Sequence, residues 1–234
     1  GDFTSGTALA VNGGSFDATG GSIATGAGSA LITHAGSAAL GPMTVGGDLT
    51  VTAGGPITDA DGAGNALAVT GTAAFTTRAD AGAAITLDND ANTFGTVNAR
   101  ALDAAGDAAA AGAIEIIEDT SLAVGAVETA GTVTLTSVNG SILDAADDAV
   151  VDITAGGLIT LTAAGDIAGV AAPGDTALEL AAGSEVDASS TNAGNITLAG
   201  AGALTLTDVD TVDGNITVTA AGALAATDVD ADDA

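Results

Sequence analysis

The chain of 234 residues has no cysteine, lysine, tryptophan or tyrosine, and only four phenylalanines and three prolines. Without cysteine there is no disulfide framework, no thiol nucleophile and no thiolate metal site. With so few large aromatics, a globular core several side chains deep could not be filled. Arg78 and Arg100 are the only basic side chains against 30 acids, a formal net charge of -28. Phosphate backbones and anionic membrane surfaces are repelled by such a chain, so nucleic acid is excluded as a partner. No apolar run reaches the roughly 18 residues of a membrane span, so membrane insertion is not expected. His34 is the single histidine, which rules out a two-histidine metal site or proton relay.

What the chain has is glycine, alanine and a returning phrase. GNITLAGAGALTLTDVD begins at Gly194 and GNITVTAAGALAATDVD at Gly214, so Ile196, Leu198 and Leu204 map onto Ile216, Val218 and Leu224. Looser copies are GDLTVTAGGPITDA from Gly47, GTVTLTSVNGSILDA from Gly131 and GLITLTAAGDIAG from Gly157. A period near twenty with one or two short strands per unit is the mark of a solenoid. Such a body needs only a thin interior of small and β-branched side chains, because neighbouring coils cover each other's faces. The predicted fold is therefore all-β, a parallel β-helix of coils of about twenty residues, eleven or twelve of them.

Strict alternation in LTVT, VTLT, ITLT and ITVT separates an inward from an outward face. It also argues against a disordered chain, as does the mean hydropathy of +0.49. The inward set predicted from it is Leu49, Val51, Ile57, Val133, Leu135, Ile142, Ile159, Leu161, Ile167, Ile196, Leu198, Leu204, Ile216, Val218 and Leu224, with Thr134 and Thr217 facing out. No composition shift divides the chain, so residues 1–234 read as one continuous body, less regular over 1–46 and clearer over 47–232. Short strands are expected near Ala8–Val11, Ser22–Ala24 and Ala30–Thr33, a loop or loose coil over 101–113, and a turn at Pro173. Both ends lie in repeat-like sequence, and the expectation is a segment of a longer rod that meets further coils or another copy.

The acids are nearly all Asp, whose short side chain bonds local backbone in turns. The same turns gather oxygen donors of the kind calcium takes: Asp59 and Asp61, Asp88 and Asp90, Asp147 and Asp148, Asp208, Asp210 and Asp213, and Asp228 and Asp230. None fits the helix-flanked calcium loop or the stacked nonapeptide, so these are candidates for weak calcium sites beside the plainer reading as solvated turns. No other cofactor is expected. Glycoside chemistry needs two carboxylates at a set separation, and no Trp or Tyr is present to stack a sugar against them. The T-x-T pairs, among them Thr50/Thr52 and Thr134/Thr136, echo an ice-binding face, which would need such pairs in one plane on nearly every coil. A non-catalytic protein is the reading these residues favour.

The phrase G-N-I-T-L-x-A-x-G-x-L-x-L-T, with ITLDNDANTFGTV over Ile85 to Val97, resembles the repeats of filamentous-haemagglutinin-type bacterial adhesins. The resemblance implies a parallel β-helical shaft, residence outside the cell or on the outer surface of a bacterium, and attachment to a host or matrix surface. An alternative is a structural protomer that assembles with copies of itself into a filament, sheath or surface layer.

Overall fold

A computed structural model describes residues 2–146, 148–168 and 177–231. Among these residues the strands form two sheets, one of fifteen and one of eleven strands, and every strand pairing is parallel. The chain winds as a β-solenoid of about ten coils averaging some 22 residues. A regular coil has three short strands. In the third coil these are Met43–Val45, Leu49–Ala53 and Ile57–Thr58. In the next coil the first two faces fuse into one long strand, Leu67–Arg78, which runs beneath both Met43–Val45 and Leu49–Ala53.

The coil number is lower than the period predicts because the coils are unequal. Ile114 stacks on Val133, nineteen residues on, and Ile196 on Ile216, twenty on, but Ile167 stacks on Ile196, twenty-nine on. The surplus leaves the body as turns, such as the one after Leu102, where the chain reverses to bridge Leu102 with Ala109. That reversal is the loop expected over 101–113, although the strand Thr93–Leu102 runs two residues into it. Over residues 1–46 the structure has the expected strands as Leu9–Gly13, Ile23–Ala24 and Ala30–His34, and adds Phe3–Thr4, Phe16–Asp17, Ala38–Ala39 and Met43–Val45. Pro173 lies outside the described residues.

One apolar column fills the axis. Twelve of the fifteen predicted inward residues, Leu49 through Leu204, are buried in it. Ile216 and Val218 are half-buried against it and Leu224 is 49% exposed, because these three belong to the last described coil and are covered from one side only. Thr134 is half-buried and Thr217 exposed, on the outward parity predicted. Phe75 and Phe94 meet edge to face at 6.0 Å and supply the column's only aromatic pair in these two middle coils.

The corners explain the glycines. A Cβ on Gly54 would lie 2.0 Å from the Ala35 carbonyl oxygen, and one on Gly214 would lie 2.1 Å from that of Gly194. Stacked turns at ladder spacing leave no room for a methyl group there. Inward hydroxyls finish the corners by bonding carbonyls that the turn leaves over. Thr211 Oγ1 donates to Gly194 O at 2.6 Å, Ser190 Oγ to Gly165 O at 2.9 Å, and Thr77 Oγ1 to Ala83 O at 2.8 Å.

Candidate functional site

Where a coil lengthens, carboxylates also enter the interior, Asp144 stacking on Val124 and Glu179 on Ala199. The strand Ile142–Asp144 alternates in, out, in, which carries Asp144 inside beside the turn that follows. Its Oδ1 accepts from the Ala146 N–H at 2.8 Å and its Oδ2 from the Asp148 N–H at 3.1 Å. When the chain returns, Asp152 precedes the strand Ile153–Ala155, and the next coil brings Glu179 of Leu178–Leu180 against it. The two backbones bond directly, Asp152 N–H to Glu179 O at 3.0 Å, while Asp152 Oδ2 accepts from the Glu179 N–H at 2.8 Å.

Asp144, Asp152 and Glu179 are 1%, 5% and 5% exposed, and one carboxylate oxygen from each lies within 4.8 Å of the others. Burial lifts the Asp152 carboxyl far above the usual carboxylate range, and the neighbouring charges of Asp144 and Glu179 push the same way. Two states relieve such a cluster. A proton can be held between Asp152 and Glu179, or a cation can replace it. The donor set is oxygen only, which suits a hard divalent ion such as calcium rather than zinc or copper.

A second buried acid sits two coils earlier. Glu118, fully buried, ends the inward series Ile114, Ile116, Glu118. Its Oε1 accepts from the Phe94 N–H and the Thr120 hydroxyl, each at 3.0 Å, while Oε2 has no hydrogen-bond partner among the described residues. Burial raises this carboxyl to about 7. His34 is buried as well, its ring 5.5 Å from Phe16, and both ring nitrogens lack a partner among the described residues. It closes the strand Ala30–His34 as a buried side chain packed against Phe16.

The turn acids proposed for calcium are placed differently. Asp59 and Asp88 do meet across adjacent coils, but among the described residues no third acid converges on them, and Asp59 is tied into the turn. It accepts from the Asn92 amide at 2.6 Å and from the Asp88 N–H at 3.1 Å, and burial raises its carboxyl. Asp61, Asp90, Asp148, Asp213, Asp228 and Asp230 are exposed at turns or at the last described coil. Asp208 and Asp210 stack against Asp187 and Ser189 on one face, where Ser189 Oγ donates to Asp210 at 3.0 Å. Partial burial, then the charges of Asp208 and Asp210, raise the Asp187 carboxyl. Asp147 lies outside the described residues. Among those described, only Asp144, Asp152 and Glu179 converge as three potential ligands. Parity along ILD and IEIIE could have found Asp144 and Glu118. The sequence carries no comparable signal for Asp152 or Glu179, which are buried by neighbouring coils.

The T-x-T pairs fall on different faces. Thr134/Thr136 and Thr160/Thr162 stack on each other in the eleven-stranded sheet, whereas Thr50/Thr52 lie in the other sheet beside Leu31/Thr33 and Ala74/Thr76. No single plane gathers them.

Fold and corners together define a repeat protein of the parallel β-solenoid class. Residues 27–101 match a family model described as repeats of unknown function (DUF5649). The match spans 75 of 234 residues, from the second coil into the fifth. No curated protein and no solved structure matches the chain.

Proposed function

We propose that this chain is a non-catalytic, extracellular shaft: a β-solenoid segment of a bacterial surface or secreted protein of the filamentous-haemagglutinin type, which holds adhesive parts away from the cell. The observation that carries the reading is the apolar column that runs from Ile23 to Val209 among the described residues, flanked by parallel ladders of two long sheets. A stack of this kind resists bending, because each coil is hydrogen-bonded along its length to both neighbours. The repeat phrase supports the adhesin type, and the acidic, cysteine-free surface supports an exterior rich in salt, where counterions screen repulsion within roughly 8 Å. Calcium belongs to this reading as the counterion of the acids.

Electron microscopy of the native particle tests it. Single thin rods projecting from cells or released into the medium are expected. A regular lattice or polymer built from this chain would replace the shaft with the self-assembling protomer, and an intracellular location would overturn both.

A further inference from the structure

The second face of the middle coils carries a groove of about 390 Å³, within the size range of small-ligand sites. Two outward rows make its floor. One runs Ala74, Asn98, Ala126 and the other Thr76, Arg100, Glu128, each residue stacked on the next coil. Thr154 continues the second row, while Val151 and the buried Asp152 close the far end.

Three features mark this groove as built rather than incidental. The ladder is interrupted here by a bulge, because Val97 pairs with Val124 while Asn98 pairs with Ala126, and Gly125 is left over. Bulges re-aim side chains, and a Cβ on Gly125 would lie 2.5 Å from the Asn98 carboxamide oxygen, so any larger residue there displaces that amide. The only salt bridge among the described residues also lies in the floor, with Arg100 Nε donating to Glu128 Oε2 at 2.9 Å and Nη2 donating to the same oxygen. That geometry leaves Nη1 and Glu128 Oε1 for a ligand. Lastly, the Asn98 amide and the Thr76 and Thr154 hydroxyls make no hydrogen bond among the described residues, and between them the methyl groups of Ala74 and Ala126 offer flat apolar ground.

We infer that this groove binds an uncharged saccharide. A sugar hydroxyl both donates and accepts, which matches a floor where a guanidinium, a carboxylate and an amide lie side by side. The C–H face of the ring matches the alanine steps. Charge weighs against the other classes: an anion meets a net charge of -28, and the floor's one guanidinium is already paired with Glu128, so neither an anion nor a cation finds an unpaired opposite charge there. The site stands independently of the shaft reading, since a groove of this kind serves any solenoid.

Calorimetric titration of the full chain with cellohexaose, maltohexaose, mannohexaose and chitohexaose, and with hexagalacturonate as the charged counterpart, tests the inference. At least one uncharged oligosaccharide should bind saturably. Asn98→Ala and Gly125→Ala should each weaken it by about tenfold. Ala126→Phe should abolish it by filling the floor, with circular dichroism verifying that each variant folds. Thr136→Ala, on the other sheet, should leave the affinity unchanged. Failure of all four uncharged probes, tighter binding of hexagalacturonate, or binding that survives both Asn98→Ala and Ala126→Phe would overturn the assignment.

Discussion

The corner after Thr211 and the corner after Asp144 are made from the same vocabulary and differ in what they put inside. In the first, coils stack twenty residues apart, and the Thr211 hydroxyl closes the turn by donating to Gly194 O. In the second, the spacing is twenty-five residues and then twenty-nine, and Asp144, Asp152 and Glu179 converge inside, Asp144 stacking on Val124 and Glu179 on Ala199. A hydroxyl satisfies one carbonyl and costs little to bury. A carboxylate in the same setting must be protonated, paired or bound to a cation. The regular corner is therefore indifferent to solution conditions, and the irregular one is sensitive to pH and cations.

Adding an acid to the regular column should have the largest effect. Leu198→Asp puts an unpaired carboxylate where exposure is zero, and should lower stability by several kcal/mol or open its coil, read as a drop in thermal midpoint. Crowding a regular corner comes next. Gly54→Ala forces its methyl group onto Ala35 O, and a loss of about 2–4 kcal/mol is expected in denaturant unfolding.

Removing a buried acid should do the opposite. Glu118→Gln keeps an acceptor for the Phe94 N–H and takes away a charge that burial opposes. The sign follows from proton uptake. With its carboxyl raised from 4.5 to about 7, the folded chain holds a proton through that window which the unfolded chain has lost. Stability therefore falls as pH rises from 4.5 to about 7 and stays lowered above it. At pH 8 the Gln variant should be more stable by about 1–3 kcal/mol, with that part of the pH dependence flattened. Asp152→Asn should act in the same direction at the irregular corner, as its carboxyl is also raised by burial.

The smallest effect should come from salt. Sodium chloride should raise the thermal midpoint by screening the net charge of -28. Calcium at matched ionic strength should raise it further, and Asp144→Asn should remove the excess. Equal effects of the two salts would mean that the irregular corner holds a proton and no cation.

This contrast also separates what the sequence could reveal from what it could not. The column was legible because Leu49, Val51, Leu135 and Leu161 alternate with threonine, and a period of two needs only neighbours in the chain. Coil length was less legible: excursions such as 103–108 use the same Ala, Asp and Gly as the turns, so nothing in composition separates an added loop from a coil. The converging acids were not legible. Asp152 and Glu179 are twenty-seven residues apart, and they meet through the stacking of two unequal coils whose lengths the phrase does not encode. The groove on the second face escaped for the same reason, since Asn98 and Gly125 are joined by a bulge and not by the repeat.

The most direct test of the central claim, a parallel stack in this register, uses the absence of native cysteine. Thr134 and Thr160 are Cα partners on adjacent coils, outward and on one face. Their separation should fall within the range of about 4.4–6.8 Å that a disulfide spans. The double variant Thr134→Cys/Thr160→Cys should oxidise to an intramolecular bridge in nearly every molecule, and Thr134→Cys/Thr217→Cys should not. A bridge in the second pair, or none in the first under conditions where the chain is folded, would contradict the stack.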